Sequence, residues 1–200
     1  MKALTGWILT VVAALSLTVS GCNFGKVDEG RTIKYDKERQ IVTIIRNVGD
    51  EKNPKYEGPP ISYKMPADPN ERGPEPKEGG RLNLDIARQQ ITIFNPQSQK
   101  IETIPITIVD KKENVDKTDP LVFDTAQGKP KKFPIVDKER KTITIYSSRQ
   151  KLLVTFSLPE EYFNLPASTW DAGDVVRIYY KEEGKARRFM NVTQTDIYKK

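Results

Sequence analysis

From Ala3 to Val19 the chain carries no charged residue, and after that it changes character completely. The remainder is a series of short apolar–polar alternations broken by turns rich in Asp, Gly and Pro, the period-two pattern of strands with one buried face. Three stretches share one spelling: "YDKERQIVTII" (35–45), "LDIARQQITIF" (84–94) and "VDKERKTITIY" (136–146). Each has an apolar residue, Asp, Arg three positions later, and then an apolar residue, Thr and two further apolar residues at fixed offsets. The pattern predicts a strand, a tight polar turn and a returning strand. Asp36, Asp85 and Asp137 have the short side chain that bonds the backbone two residues on and opens a turn. Val42 and Ile44, Ile91 and Ile93, and Ile143 and Ile145 then point to one face, with Thr43, Thr92 and Thr144 on the other. Arg39, Arg88 and Arg140 read as solvent-facing turn residues, able to pair with the Asp of the same turn, rather than as catalytic groups.

The last seventy residues extend this into a unit. "KLLVTFSLP" (151–159) is another strand, and Pro159, Glu160 and Glu161 suit the start of a short helix, where proline and negative charge are favoured. "AGDVVRIYY" (172–180) and "ARRFMNVTQTDI" (186–197) form a hairpin across Gly184, which is free to take positive φ. Three strands, a short helix and two strands is the order of an OB-type Greek-key barrel. The first half reads as a looser copy. In it "PISYKMP" (60–66) corresponds to the strand "VTFSLP" (154–159); the loop from Pro54 to Pro76 holds seven prolines and is expected to be extended or irregular rather than helical, and Pro105 demotes "KIETIPITIVD" (100–110) to an edge or a bulged strand. The expected fold is therefore all-β: a first module over 30–110, a linker over 111–129, and a second module with one short helix over 130–200. A single merged β-domain is the alternative.

The apolar start has one preceding charge, Lys2, as in a secretory signal. It is short for a span of about 20 residues, and small residues come directly after it. Val19-Ser20-Gly21-Cys22 resembles the lipobox of bacterial lipoproteins. The resemblance implies a signal peptide over 1–21, diacylation of Cys22, and a lipidated tether over 22–29. Asn23 is not the aspartate associated with inner-membrane retention, so the resemblance implies an outer-membrane address facing the periplasm.

Composition narrows the chemistry. Cys22 is the sole cysteine and histidine is absent, which removes intrachain disulfides, free thiolates, the usual general base near neutral pH and every zinc or Ser-His arrangement. Asp116, Asp119 and Asp124 lack the spacing and central glycine of a calcium loop. No metal, cofactor or enzymatic activity is expected; catalysis by a carboxylate pair is the residual enzyme reading. Residues 23–128 hold 17 basic against 18 acidic side chains, whereas 129–200 hold 15 against 9. A basic second half suits an anionic glycan or lipid head group, and nucleic acid is not expected for an exported protein.

Aromatic residues gather in the same half. Tyr179 and Tyr180 are neighbours on a strand, so one faces inward and the other outward. With Arg177, Arg187 and Arg188 they form the candidate ligand-binding set. The lipobox, "YDKERQIVTIIRN", "KKFPIVDKERKTITIYSSRQKLLVTFSLPEEYF" and "TWDAGDVVRIYYKEEGKARRFMNVTQTDI" together resemble an uncharacterised family of bacterial lipoproteins, a domain of unknown function. The resemblance implies an envelope lipoprotein and brings no site residues. The expected role is a non-catalytic binding or scaffold subunit with a protein partner in the envelope; the alternative is capture of an anionic glycan or lipid head group by the second module.

Overall fold

The three repeated turns are built alike. In each, the Asp accepts from the backbone N–H three residues on: Asp36 from Arg39 at 2.9 Å, Asp85 from Arg88 at 2.9 Å and Asp137 from Arg140 at 2.8 Å. The same Asp and Arg side chains lie 3.8 to 3.9 Å apart with the Arg largely exposed. The next residue turns left-handed, with φ of 54° at Gln40, 51° at Gln89 and 54° at Lys141. Gln99 and Lys151 repeat this at two more hairpins, opened by Asn95 and Ser147. The offset of side-chain cap and left-handed residue therefore serves five hairpins, three of them spelled with Asp and Arg.

This computed structural model describes residues 24–50 and 53–195, so Cys22 and the expected signal peptide lie outside the described residues. The chain is nearly all strand. In order the strands are β1 (Lys26–Asp36), β2 (Ile41–Arg46), β3 (Ile61–Lys64), β4 (Arg81–Asp85), β5 (Gln90–Asn95), β6 (Lys100–Pro105), β7 (Thr107–Lys112), β8 (Phe123–Asp124), β9 (Lys129–Pro130), β10 (Ile135–Asp137), β11 (Thr142–Ser147), β12 (Leu152–Ser157), β13 (Val175–Glu182) and β14 (Lys185–Asn191). The expected short helix is two 3-10 turns, Glu160–Asn164 and Ala167–Trp170, each capped by a proline.

β1, β13, β14, β3 and β2 close into a five-stranded barrel. β1 pairs with β2 at one end and β13 at the other, and β14 meets β3 in parallel at Lys185 and Lys64. Walking the pairs around from Lys26 returns to β1 at Asp36, the strong stagger that a small closed barrel requires. Val42, Ile44, Tyr63, Met65, Val176, Ile178, Tyr180, Ala186 and Phe189 fill it.

The remaining strands are inserted between β3 and β13. β4–β5–β6 and β10–β11–β12–β7 face one another across a common core of Ile91, Ile93, Ile104, Ile106, Ile143, Ile145, Val154, Phe156 and the fully buried Trp170. The chain passes from one sheet to the other at Pro105–Ile106. β6 pairs with β5 and β7 with β12, so the proline marks a sheet corner. Barrel and insertion meet through Ile45 and Ile33 on the barrel wall against Leu82, Phe94 and Ile101. Gly173 lies so close to the Thr32 carbonyl that a Cβ would overlap its oxygen, and any other residue there would part the backbones.

The strand pairing departs from the tandem division at 30–110 and 130–200. Both ends of the chain build the one closed barrel, and the middle forms a sandwich inside it in sequence. The reason is that β1 has an open edge that β2 leaves unpaired, and β13 satisfies it across about 150 residues of chain. Residues 111–129 are also more than a linker, since Val115 and Val122 are buried against Leu153. The proline-rich segment from Pro54 to Pro76 is irregular on either side of β3, with one 3-10 turn at Pro69–Glu71.

Candidate functional site

β13 alternates cleanly. Val176, Ile178 and Tyr180 are buried, Arg177 is exposed and Tyr179 half-buried. The Tyr180 ring lies inside the barrel, 5.2 Å from that of Tyr63, so Tyr179 is the outward partner of the pair. On β14 the alternation breaks: Ala186 and Phe189 are buried and both Arg187 and Arg188 between them are exposed. A bulge causes this. Tyr179 faces Arg188 and Tyr180 faces Ala186, leaving Arg187 as the extra residue, re-aimed outward.

Arg177, Tyr179, Arg187 and Arg188 thus share the outer barrel wall, and Tyr180 does not. Two of the three arginines are already partnered. Arg177 donates through Nε and Nη2 to Oε2 of Glu29, at 3.0 and 2.6 Å. Arg188 grips Glu71 in a fork, Nε to Oε2 at 2.5 Å and Nη2 to Oε1 at 3.2 Å. That hydrogen-bonded guanidinium holds the Glu71 carboxyl below the usual carboxylate range. The two-oxygen fork of Arg188 is geometrically specific and pins the proline-rich segment to β14, while the Arg177–Glu29 pair ties β13 to β1. Arg187 has no partner among the described residues, and neither do Lys26 and Lys181 at the same end of the barrel.

Apolar side chains accompany these cations. Val27 is the register partner of Tyr179, so the two sit side by side on the outer face. The Tyr179 ring lies against the Gly25 backbone, where a Cβ would overlap its Cε2. Val27 is 57% and Phe24 84% exposed. Nothing in the residue pattern of "FGKVDEG" signals that this segment begins a barrel strand, because Gly25 and Gly30 interrupt the alternation.

The barrel interior holds a polar group that sequence reasoning missed. Asp28, 7% exposed, accepts on Oδ2 from both the Tyr63 hydroxyl and Arg46 Nη2, the latter at 3.0 Å. Burial, and then the hydrogen bond to Asp28 and its charge, push the Tyr63 phenol far above its ordinary range. This buried hydroxyl ties β3 to β1 inside the barrel. A second lock is Asp174, which accepts from Asn191 Nδ2 at 2.8 Å, Gln194 Nε2 at 2.8 Å and the Lys77 backbone at 3.0 Å. A third feature sits where barrel and insertion join. Arg81 is half-buried there beside Arg31, and desolvation with that neighbouring charge brings its guanidinium down to about 10.

An open depression of about 410 Å³ lies between Gly58, Pro59, Pro60 and the β5–β6 hairpin, with Lys100 its one charged lining residue. Among the described residues no group of three or more His, Cys, Asp or Glu is placed to hold a metal ion, and no helix is long and apolar enough to cross a membrane.

No curated protein and no solved structure matches the chain. A family profile, by contrast, matches residues 23–200, from the residue after Cys22 through both barrel halves and the inserted sandwich. The chain belongs to that family, a domain of unknown function (DUF4881).

Proposed function

We propose that this is a lipid-anchored cell-envelope protein, attached through Cys22 and carrying its barrel and sandwich into the periplasm as a non-catalytic binding or scaffold subunit. The observation that carries the reading is the junction at the start of the chain. A charge-free run ends in Val19-Ser20-Gly21-Cys22, and β1 begins at Lys26, so a membrane address gives way to a folded body within a few residues. Asn23 after the cysteine favours the outer membrane. The partner expected for such a subunit is an envelope protein, recruited along a sheet edge such as that of β10 or β4.

The five strands of the barrel, in the order β1–β2–β3–β14–β13, support an OB-type reading. That keeps a second reading alive, capture of an anionic glycan or lipid head group on the barrel wall. The ion pairs of Arg177 and Arg188 narrow it to Arg187 and its lysine neighbours. Metabolic labelling with a palmitate analogue tests the principal reading: label should enter the wild-type chain and be absent from Cys22→Ser, with the variant leaving the membrane fraction. An unlabelled wild-type chain recovered in the soluble periplasm would overturn it.

A further inference from the structure

The end of the barrel nearest Cys22 is unlike the rest of its surface. Phe24 and Val27 are among the most exposed large apolar side chains of the described residues, and Tyr179 lies beside Val27. Around them stand Lys26, Lys181 and Arg187, none with an ion-pair partner among the described residues. Most other exposed cations of the barrel and its loops have a carboxylate: Arg177 has Glu29, Arg188 has Glu71, Lys37 has Glu75 and Lys185 has Glu182. Unpaired positive charge and exposed apolar side chains therefore coincide.

This end also faces away from the rest of the molecule. The inserted sandwich joins the barrel around Thr32, Gly79, Gly173 and Asp174, at the start of β13 and well along β1. Lys26 pairs with Tyr180 near the end of β13, six residues of strand from Thr32. At about 3.3 Å per residue that separates the apolar rim from the junction by roughly 20 Å.

We infer that this rim, Phe24, Lys26, Val27, Tyr179, Lys181 and Arg187, rests on the anionic lipid head groups of the membrane that holds Cys22. The inference rests on the anchoring proposed above. Lys26 is four residues from Cys22, so the chain cannot carry the start of β1 more than roughly 14 Å from the acylated sulfur. That is within the interfacial zone, where aromatic and apolar side chains lie at head-group depth and basic ones meet anionic lipid. Three scattered apolar side chains are too little surface for a stable interface with a free protein partner. Beside a covalent anchor they suffice, because the tether makes the contact intramolecular and supplies a high effective concentration. The consequence is orientation: the barrel axis is set against the bilayer and the sandwich is held outermost, where its edges are free to engage a partner.

The test is made on the intact protein with Phe24→Trp, in an excess of vesicles of phosphatidylethanolamine and phosphatidylglycerol or of phosphatidylcholine alone. Tryptophan emission, after subtraction of the buried Trp170 signal of the parent chain, and quenching by brominated acyl chains report contact. The mass of the N-terminal peptide from the same sample reports lipid on Cys22 separately. The expected result is blue-shifted, quenchable emission at residue 24 in the anionic vesicles, weakened by high salt, while a tryptophan at Val109 on the sandwich keeps the emission of a water-exposed ring. Lys26→Gln and Arg187→Gln should each lower the ratio of docked to free protein about fivefold. Water-exposed emission at residue 24 in anionic vesicles would overturn the inference whether or not Cys22 carries lipid. Equal quenching at residues 24 and 109 would also overturn it, since it would mean unoriented adsorption. Absence of lipid on Cys22 with the contact intact would remove the anchor and leave the surface standing.

Discussion

Asp28 takes two donors on one oxygen inside the barrel, and Tyr63 is the half of that arrangement which can be removed without stranding a charge. Tyr63→Phe keeps the ring stacked near Tyr180 and leaves Arg46 on Asp28, so it withdraws one hydrogen bond from a buried carboxylate. The expected loss at neutral pH is about 1–3 kcal/mol. The pH dependence has a definite sign. The folded phenol sits far above its ordinary value, so the stability it contributes is complete below the ionisation of an unfolded tyrosine, at about pH 10, and is lost as the pH rises beyond it. Denaturant unfolding of both proteins should show the gap between wild type and Tyr63→Phe narrowing above about pH 10. A gap that stays constant to higher pH would mean that the hydroxyl is not held protonated by Asp28 and burial.

The hairpin turns show what the sequence discloses at the next scale. The Asp-opened turn is a local device, complete within six residues, so its presence and the strand faces after it were legible from the repeat; the bond reaches the third backbone N–H rather than the second, and the left-handed residue that follows is Gln or Lys, types that do not announce it. Pro105 was legible only halfway. Its missing N–H announces a break in pairing, but that the break is a corner between two sheets depends on which strands lie alongside, and no local pattern states that. The turn itself can be tested at Gln89, whose side chain makes no hydrogen bond among the described residues and whose φ is 51°. The left-handed conformation costs a non-glycine residue about 1–2 kcal/mol, and glycine returns about 0.5–1 kcal/mol of that as unfolded-state entropy. Gln89→Gly should therefore stabilise the protein by up to about 1 kcal/mol. Asp85→Ala in the same turn should destabilise it by about 0.5–1.5 kcal/mol, through loss of the bond to the Arg88 N–H. Thermal melts of the two variants should move in opposite directions, and a Gln89→Gly melt below wild type would show that the side chain itself supports the turn.

At the scale of the molecule, alternation and turn chemistry determine strands but leave their partners open, because pairing across about 150 residues depends on edges that are complementary in space. The candidate site shares this limit: Arg177, Arg187 and Arg188 were visible as basic residues, while Glu29 and Glu71, which neutralise two of them, come from distant segments. The nested topology has a consequence that a tandem pair of modules would not. β1, β2 and β3 make three-fifths of a barrel, and without β13 and β14 they expose Val42, Ile44 and Tyr63 to water together with an unpaired edge on β1. A fragment ending at residue 129 would retain β4–β5–β6 but also lose β10–β12, which supply Ile143, Ile145, Val154 and Phe156 to the shared core. Neither half-core is closed, so residues 22–129 should remain unfolded by near-ultraviolet circular dichroism and be digested rapidly by trypsin. The sandwich stands differently. Residues 77–171 contain both of its sheets and Trp170, and their ends lie close together, since Arg81 N donates to the Asp171 carbonyl at 2.9 Å. Excised as one piece, that segment should fold with a cooperative melt, lower than in the intact chain because Leu82, Phe94 and Ile101 lose their cover on the barrel wall. A folded 22–129 fragment together with an unfolded 77–171 fragment would mean that the chain is organised in tandem after all.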